Sequence, residues 1–203
     1  MGVPIIILGE SGTGKSCSMR NFKEGEINII NVAKKPLPFR SKIKTFNSDN
    51  YAEITEAIKS APCKVIVIDD AQYLMANENM RLLSVKGYEK YTQMAKNFWD
   101  LFQTAINDTA DDVNVYFMAH IERDSEGKER FKTVGKMLDS YSIEGMATIC
   151  LKTVVRDGRY FFSTQNNGSD TVKSPMGMFE EPLIENDLKM VDEKIREYYK
   201  EEN

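Results

Sequence analysis

The sequence predicts an α/β domain: a mostly parallel sheet flanked by helices, with an antiparallel hairpin added near the C-terminal end. Three observations carry this. Short apolar runs at residues 3–8, 64–68 and 113–119 are bounded by turn residues and read as strands buried on both faces. Segments with helical periodicity lie between them, the usual connection between parallel strands. Near the end, residues 147–155 and 159–164 alternate around Asp157-Gly158, a dipeptide suited to a tight hairpin turn.

Taken in order, the first apolar run ends at Gly9, and the next ten residues suit a helix beginning near Gly14. Residues 27–32 and 42–46 read as further strands. Residues 50–60 read as a helix entered through Asp49 or Asn50, both residues of N-cap type. The buried strand 64–68 follows, then a long helix over 88–107 and the strand 113–119. Residues 121–145 are charged and irregular. Beyond the hairpin, Leu188, Val191, Ile195 and Tyr198 recur at helical spacing. The segment 180–203 holds nine acidic and four basic side chains, so it reads as an acidic C-terminal helix that either packs on the domain or docks a partner.

The 203 residues suit one domain spanning 1–203, without internal repeats or low-complexity stretches. Hydrophobic residues at 41% and charged residues at 29% are ordinary for a folded soluble chain. The early apolar run of six residues is too short for a bilayer or a signal peptide, so the expected location is cytoplasmic. Met1-Gly2 lacks the Ser or Thr that myristoylation wants at position 6, which is Ile6. Three cysteines, Cys17, Cys63 and Cys150, and a single histidine, His120, argue against disulfide scaffolds and structural zinc. A net charge of −4 gives no general attraction to nucleic acid, so any such contact must be local.

Gly9-Glu10-Ser11-Gly12-Thr13-Gly14-Lys15-Ser16 matches the pattern G-x-x-x-x-G-K-[ST] in full. Its glycines let backbone N–H groups turn inward around phosphates, its lysine reaches the β and γ phosphates, and its Ser16 hydroxyl suits Mg²⁺. The loop therefore predicts a nucleoside triphosphate with Mg²⁺. No Asn-Lys-x-Asp for guanine occurs, which favours ATP. Cys17, just after the loop, reads as part of the binding segment, with either a reactive thiol or a plain packing role.

The run Val65-Ile66-Val67-Ile68-Asp69-Asp70 places Asp69 at a strand tip, where a carboxylate can hold the Mg²⁺ shell. Asp70 beside it could orient or deprotonate water, or merely form a turn; Asp49 is a second source of such a carboxylate. His120 ends the strand 113–119 and should reach the same edge, where it could sense the γ-phosphate. Within residues 123–136, Arg123, Lys128, Arg130, Lys132 and Lys136 outnumber Asp124, Glu126 and Glu129. That loop could supply an arginine finger, a lid or phosphate-backbone contacts, with Phe131 and Tyr141 as candidate base stackers, or simply be solvated.

With these residues in place, the chain resembles the RecA-like P-loop ATPases of bacteriophages associated with single-strand annealing and recombination. The likeness runs through the 9–16 loop, Lys35-Pro36-Leu37-Pro38-Phe39, Ile68-Asp69-Asp70-Ala71-Gln72-Tyr73, Met118-Ala119-His120, Thr133-Val134-Gly135-Lys136-Met137-Leu138 and Lys173-Ser174-Pro175-Met176-Gly177-Met178-Phe179. The resemblance implies a RecA-type core and ATP hydrolysis in phage DNA metabolism, within the host cytoplasm, with Lys15, Ser16, Asp69 and His120 in the matching roles. It also implies single-stranded DNA and an annealing or single-strand-binding protein as partners, and leaves a homo-oligomer open. Two features depart from the family. Asn31-Val32-Ala33-Lys34-Lys35 stands where a catalytic Glu is usual, and the first strand begins at Val3, where an oligomerisation segment often precedes it. The segment 68–72 also looks like the matching stretch of DnaA-type initiators, making an AAA-type relative a near alternative.

Two other readings stay open on the residues alone. A small-molecule or nucleotide kinase would use the same loop, with Arg123 and Arg130 as a lid, although the intervening strand ending in His120 argues against it. A nucleotide-gated binding module with little hydrolysis would fit the missing Glu.

Overall fold

Aliphatic residues on both sides of successive strands demand a sheet with a core on each face. The computed structural model, which describes residues 3–135, 137–138 and 141–200, realises this as an eight-stranded sheet between two helical layers. Strand β1 (Val3–Leu8) runs into the glycine-rich loop, followed by a 3-10 turn (Ser16–Asn21), β2 (Asn28–Asn31) and β3 (Thr45–Phe46). Helix α1 (Tyr51–Lys59) is capped by Asn50, whose Oδ1 accepts from the backbone N–H groups of Ala52 and Glu53. Strand β4 (Val65–Asp69) leads to α2 (Gln72–Arg81) and α3 (Glu89–Asn107). Strand β5 (Asn114–Ala119) leads to a separate ribbon of β6 (Ile121–Arg123) and β7 (Glu129–Phe131). Strands β8 (Ile149–Arg156), β9 (Arg159–Ser163) and β10 (Leu183–Glu185) and helix α4 (Leu188–Lys200) follow.

Across the sheet the order is β10-β9-β8-β1-β5-β4-β2-β3. From β8 to β3 all neighbours are parallel; β9 and β10 add an antiparallel edge. β5 thus lies between β1 and β4, and the C-terminal ends of these three strands stand side by side. Alternate residues divide the core. Ile6, Leu8, Ile66, Ile68, Val115 and Phe117 pack with Ile54, Leu74, Phe98 and Phe102 of α1 to α3. The residues between them, Ile5, Ile7, Val67, Tyr116 and Met118, pack with Met19 of the 3-10 turn and Leu188, Val191 and Ile195 of α4. The Phe102 and Phe117 rings stack at 3.8 Å, tying α3 to the central strand.

Helix α4 is therefore a packed helix, its apolar face covered by the sheet. Asp192 anchors it, accepting from Asn114 Nδ2 at 2.7 Å, from the Tyr116 hydroxyl at 2.8 Å and from Arg196 Nε at 2.7 Å. Of the two sequence readings of this helix, its apolar face takes the packed one. Glu201, Glu202 and Asn203 of the acidic segment lie outside the described residues. Among the described residues no helix is long and apolar enough to cross a membrane.

Four local differences separate the sequence expectation from the structure. The helix expected from Gly14 is only the 3-10 turn, because the Ser18 hydroxyl donates to the Lys15 carbonyl at 2.5 Å and Phe22 turns extended to enter the core. Helix α2 escaped the pattern because its buried residues, Gln72, Leu74 and Met75, make a weak stripe. The irregular stretch 121–145 contains the β6–β7 ribbon. The first strand of the terminal hairpin, β8, belongs to the parallel sheet beside β1.

Candidate functional site at the strand tips

The loop from Gly9 to Ser16 leaves the tip of β1, where the Gly9 N–H donates to the Ala119 carbonyl at 3.1 Å. Gly12 and Gly14 adopt φ of +78° and +98°, a region that residues with a Cβ avoid. Lys15 is 6% exposed, and its Nζ donates to the carbonyls of Gly9 and Glu10, both at 2.8 Å. Burial lowers the Lys15 ammonium pKa, while the nearby Asp70 and Asp69 carboxylates act in the opposite direction. Ser16 Oγ donates to Asp69 Oδ1 at 3.0 Å, joining the loop to the tip of β4. Burial, reinforced by the negative charge of Asp70, pushes Asp69 up to about 6.

Asp70 takes a left-handed backbone with φ of +61°, which Asp tolerates better than most residues. This turns its side chain into a polar cluster. Lys35 Nζ lies 2.8 Å from Asp70 Oδ2, and His120 Nε2 lies 3.3 Å from Asp70 Oδ1. Burial alone would raise the Asp70 carboxyl; the Lys35 ammonium overrides it and holds the group below its ordinary value. His120 is held below its ordinary value by burial and then by the Lys15 charge, which favours the neutral imidazole. Its backbone N–H donates to Gln72 Oε1 at 3.2 Å, and Tyr73 meets its ring edge-on.

Ser11, Gly12, Gly14, Lys15, Ser16, Cys17, Asp69, Asp70 and His120 line one cavity of about 300 Å³, within the range of small-molecule sites. The remaining loop residues support it from outside. Gly9 supplies a carbonyl to Lys15, and Thr13 hydrogen-bonds Glu10 and Thr153 at 2.8 and 2.6 Å. Glu10 faces Arg123 of β6 at 3.3 Å. Cys17 lies half-buried at the cavity wall. The cavity also takes Asn31, Lys35, Pro36, Pro38 and Tyr160, which no local reading of the residues placed there. For Lys35 the available signal was its place just past the second strand. Tyr160 carried none.

Asp49 does not join the site. It accepts from Arg81 at 2.7 Å and Asn77 at 2.9 Å, bonds that hold its carboxyl low, and it lines a different cavity with Tyr51 and Glu78. Phe131 is not a base stacker either: it is 2% exposed and packs edge-on against Phe98. Arg123 lies 2.9 Å from Glu129, and Arg130 lies 2.7 Å from Asp124, so both arginines of the basic stretch are paired within their own ribbon. Tyr141 is exposed, with its ring edge-on to Trp99. Lys136 lies outside the described residues.

The chemical capacity of this arrangement follows from its donors. The buried Lys15 ammonium, set in a loop whose Gly12 and Gly14 hold positive φ, suits an anion of several charges. Among the described residues no group of three or more His, Cys, Asp or Glu is placed to hold a metal ion. The Ser16–Asp69 pair offers a hard cation oxygen ligands that water and ligand oxygens would complete, a Mg²⁺-type rather than a Zn²⁺-type donor set. Compared with known protein families and with curated protein sequences, the chain matches no family model and no curated protein.

Proposed function

We propose that this chain binds ATP with Mg²⁺ in the 9–16 loop and hydrolyses it, as a RecA-like P-loop ATPase acting in phage DNA recombination or replication. The observation that carries the reading is the meeting, in one cavity, of Lys15 and Ser16 from the β1 loop, Asp69 and Asp70 from the tip of β4, and His120 from the tip of β5. A bare glycine turn needs none of these partners.

In this reading the loop amides and Lys15 grip the phosphates, Lys15 exchanging the Gly9 and Glu10 carbonyls for phosphate oxygens. Ser16 and Asp69 are the residues that would hold Mg²⁺, which would supply charge neutralisation to the triphosphate, and its charge would favour the ionised form of Asp69. Asp70 orients the attacking water and accepts its proton, while His120, neutral and bonded to Asp70, registers the occupant of the γ position. The position of β5 between β1 and β4 supports this over a kinase. The coupling to single-stranded DNA or an annealing partner rests on the resemblance carried by segments 133–138 and 173–179.

The test is ATP turnover with and without single-stranded DNA. Hydrolysis that DNA accelerates and that Lys15→Ala abolishes supports the reading; no hydrolysis in either condition, or full activity in Lys15→Ala, refutes it. One observation favours a second reading, a nucleotide-gated binding module: the Lys35–Asp70 pair neutralises the carboxylate meant for water. If ATP changes DNA affinity or oligomer size by light scattering while single-turnover hydrolysis stays negligible, that module is the better description.

A further inference from the structure

The chain leaves β2 through a turn that fixes the backbone of Lys35. Asn31, the last residue of the strand, is 5% exposed and spends both ends of its carboxamide on this one neighbour. Its Nδ2 donates to the Lys35 carbonyl at 2.7 Å, and its Oδ1 accepts from the Lys35 N–H at 3.3 Å. Lys34, between them, takes φ of +56°, a conformation that residues with a Cβ adopt only where their surroundings hold them. Pro36 follows and restricts the Lys35 backbone further. The side chain, by contrast, stays open to solvent.

Lys35 reaches the cavity from across the glycine-rich loop. In the sheet order the tips of β5 and β4 stand between β1 and β2, so Lys15 and Lys35 enter one cavity from opposite sides with Asp70 between them. The two ammonium groups sense each other there: burial chiefly lowers the Lys15 pKa, and the Lys35 charge adds to it. Lys35 Nζ rests 2.8 Å from Asp70 Oδ2 and 5.2 Å from the centre of the Tyr73 ring. Asp70 does not depend on it alone, since His120 Nε2 lies 3.3 Å and Gln72 Nε2 3.5 Å from its Oδ1. A compact cation on a flexible stem, held by one carboxylate, can exchange that partner for a more highly charged anion.

We propose that Lys35 is the second phosphate-binding cation of this cavity, contacting the terminal phosphate of a bound triphosphate and so distinguishing it from a diphosphate. The proposal rests on the triphosphate reading of the 9–16 loop. An anion seated on that loop with its terminal group toward Asp70 brings that group to Lys35, whereas a diphosphate ends short of it. Removing the ammonium acts on the triphosphate in two ways. A charged hydrogen bond is lost, and the Asp70 carboxylate then faces the phosphate without an intervening cation.

The test is displacement of a fluorescent ADP from the 203-residue chain by ADP, the β,γ-imido analogue of ATP, pyrophosphate and tripolyphosphate, with Mg²⁺ present. Lys35→Ala should weaken the ATP analogue and tripolyphosphate about ten-fold or more, and ADP and pyrophosphate less than about two-fold, while Lys35→Arg keeps most of the wild-type preference. Asp70→Asn separates contact from screening: in that background Lys35→Ala should still weaken the ATP analogue about five-fold. The proposal is overturned if that loss vanishes with Asp70→Asn, if ADP weakens as much as the ATP analogue, or if Lys35→Ala changes nothing. Where Lys15→Ala abolishes binding of all four ligands in any of those cases, the phosphate reading of the loop stands without Lys35. Absence of all binding by the wild type removes both.

Discussion

Lys35 Nζ stands 2.8 Å from Asp70 Oδ2, linking the segment after β2 to the tip of β4 in the cavity that also holds Lys15 and His120. The two side chains sit in different surroundings: Lys35 is 58% exposed and Asp70 only 11%. The pair therefore adds little to stability, as exposed ion pairs do, but it governs the charge of a carboxylate that would otherwise resist ionisation. Lys35→Ala is expected to move the Asp70 carboxyl upward, because burial then acts without its counter-charge. A carbon-13 NMR titration of the Asp carboxyls reads this directly, and an Asp70 resonance that titrates as in the wild type would show that the pair does not control it.

Asp69 presents the opposite case. With its carboxyl pushed up to about 6, the folded protein binds a proton that the unfolded chain, near 4, has already lost. Stability from this group is greatest at low pH and falls as pH rises from about 4 through 6, by on the order of 2 kcal/mol. Asp69→Asn removes that loss, so the variant should melt roughly 4–8 °C above the wild type at pH 7.5 and converge with it near pH 4.5. It should also lose the stabilisation that ATP and Mg²⁺ are proposed to give the wild type. Thermal melts at the two pH values, with and without nucleotide, check both parts; a lower melting point for Asp69→Asn at pH 7.5 contradicts the first.

Gly9 is required by its neighbour rather than by its backbone. A Cβ there would fall 1.9 Å from Thr153 Oγ1 and 2.7 Å from Thr13 Oγ1, two hydroxyls bonded to each other at 2.6 Å. Gly9→Ala should destabilise by about 1–3 kcal/mol through overpacking. Thr153→Ala should recover part of that loss when combined with it. Denaturant unfolding of the two single variants and the double variant tests the coupling; strictly additive effects mean that the clash is relieved elsewhere.

The clamp on α4 yields a stability prediction independent of the site. Asp192→Ala strands the Tyr116 hydroxyl and the Asn114 amide and takes the carboxylate from Arg196, whose guanidinium keeps only the Asp112 and Lys64 carbonyls. Removing one partner of such a buried network costs about 3–5 kcal/mol, so melting should fall by roughly 10 °C or more. A fall of under 2 °C in a thermal melt would mean that α4 is held by its apolar face alone.

The strand tips of β1, β4 and β5 were legible in the amino-acid order because their signals are local. Val3–Leu8 and Val65–Asp69 announce buried strands by composition alone, and the loop 9–16 carries its spacing within eight consecutive residues. Asp69 and His120 then follow from their places at strand ends. The cap of α1 by Asn50 and the turn at Asp157-Gly158 were readable for the same reason. The tertiary structure alone decided the rest. It removed Asp49 to a cluster with Arg81, set Lys35 against Asp70, and shortened the expected helix after the loop to a 3-10 turn. It also brought Tyr160 of β9 and Asn186, from beyond β10, against Gly14. These are contacts between segments far apart in the chain. They arise from the sheet order, which stacks β8 and β9 beside β1, and periodicity within a segment carries no information about which strand becomes its neighbour.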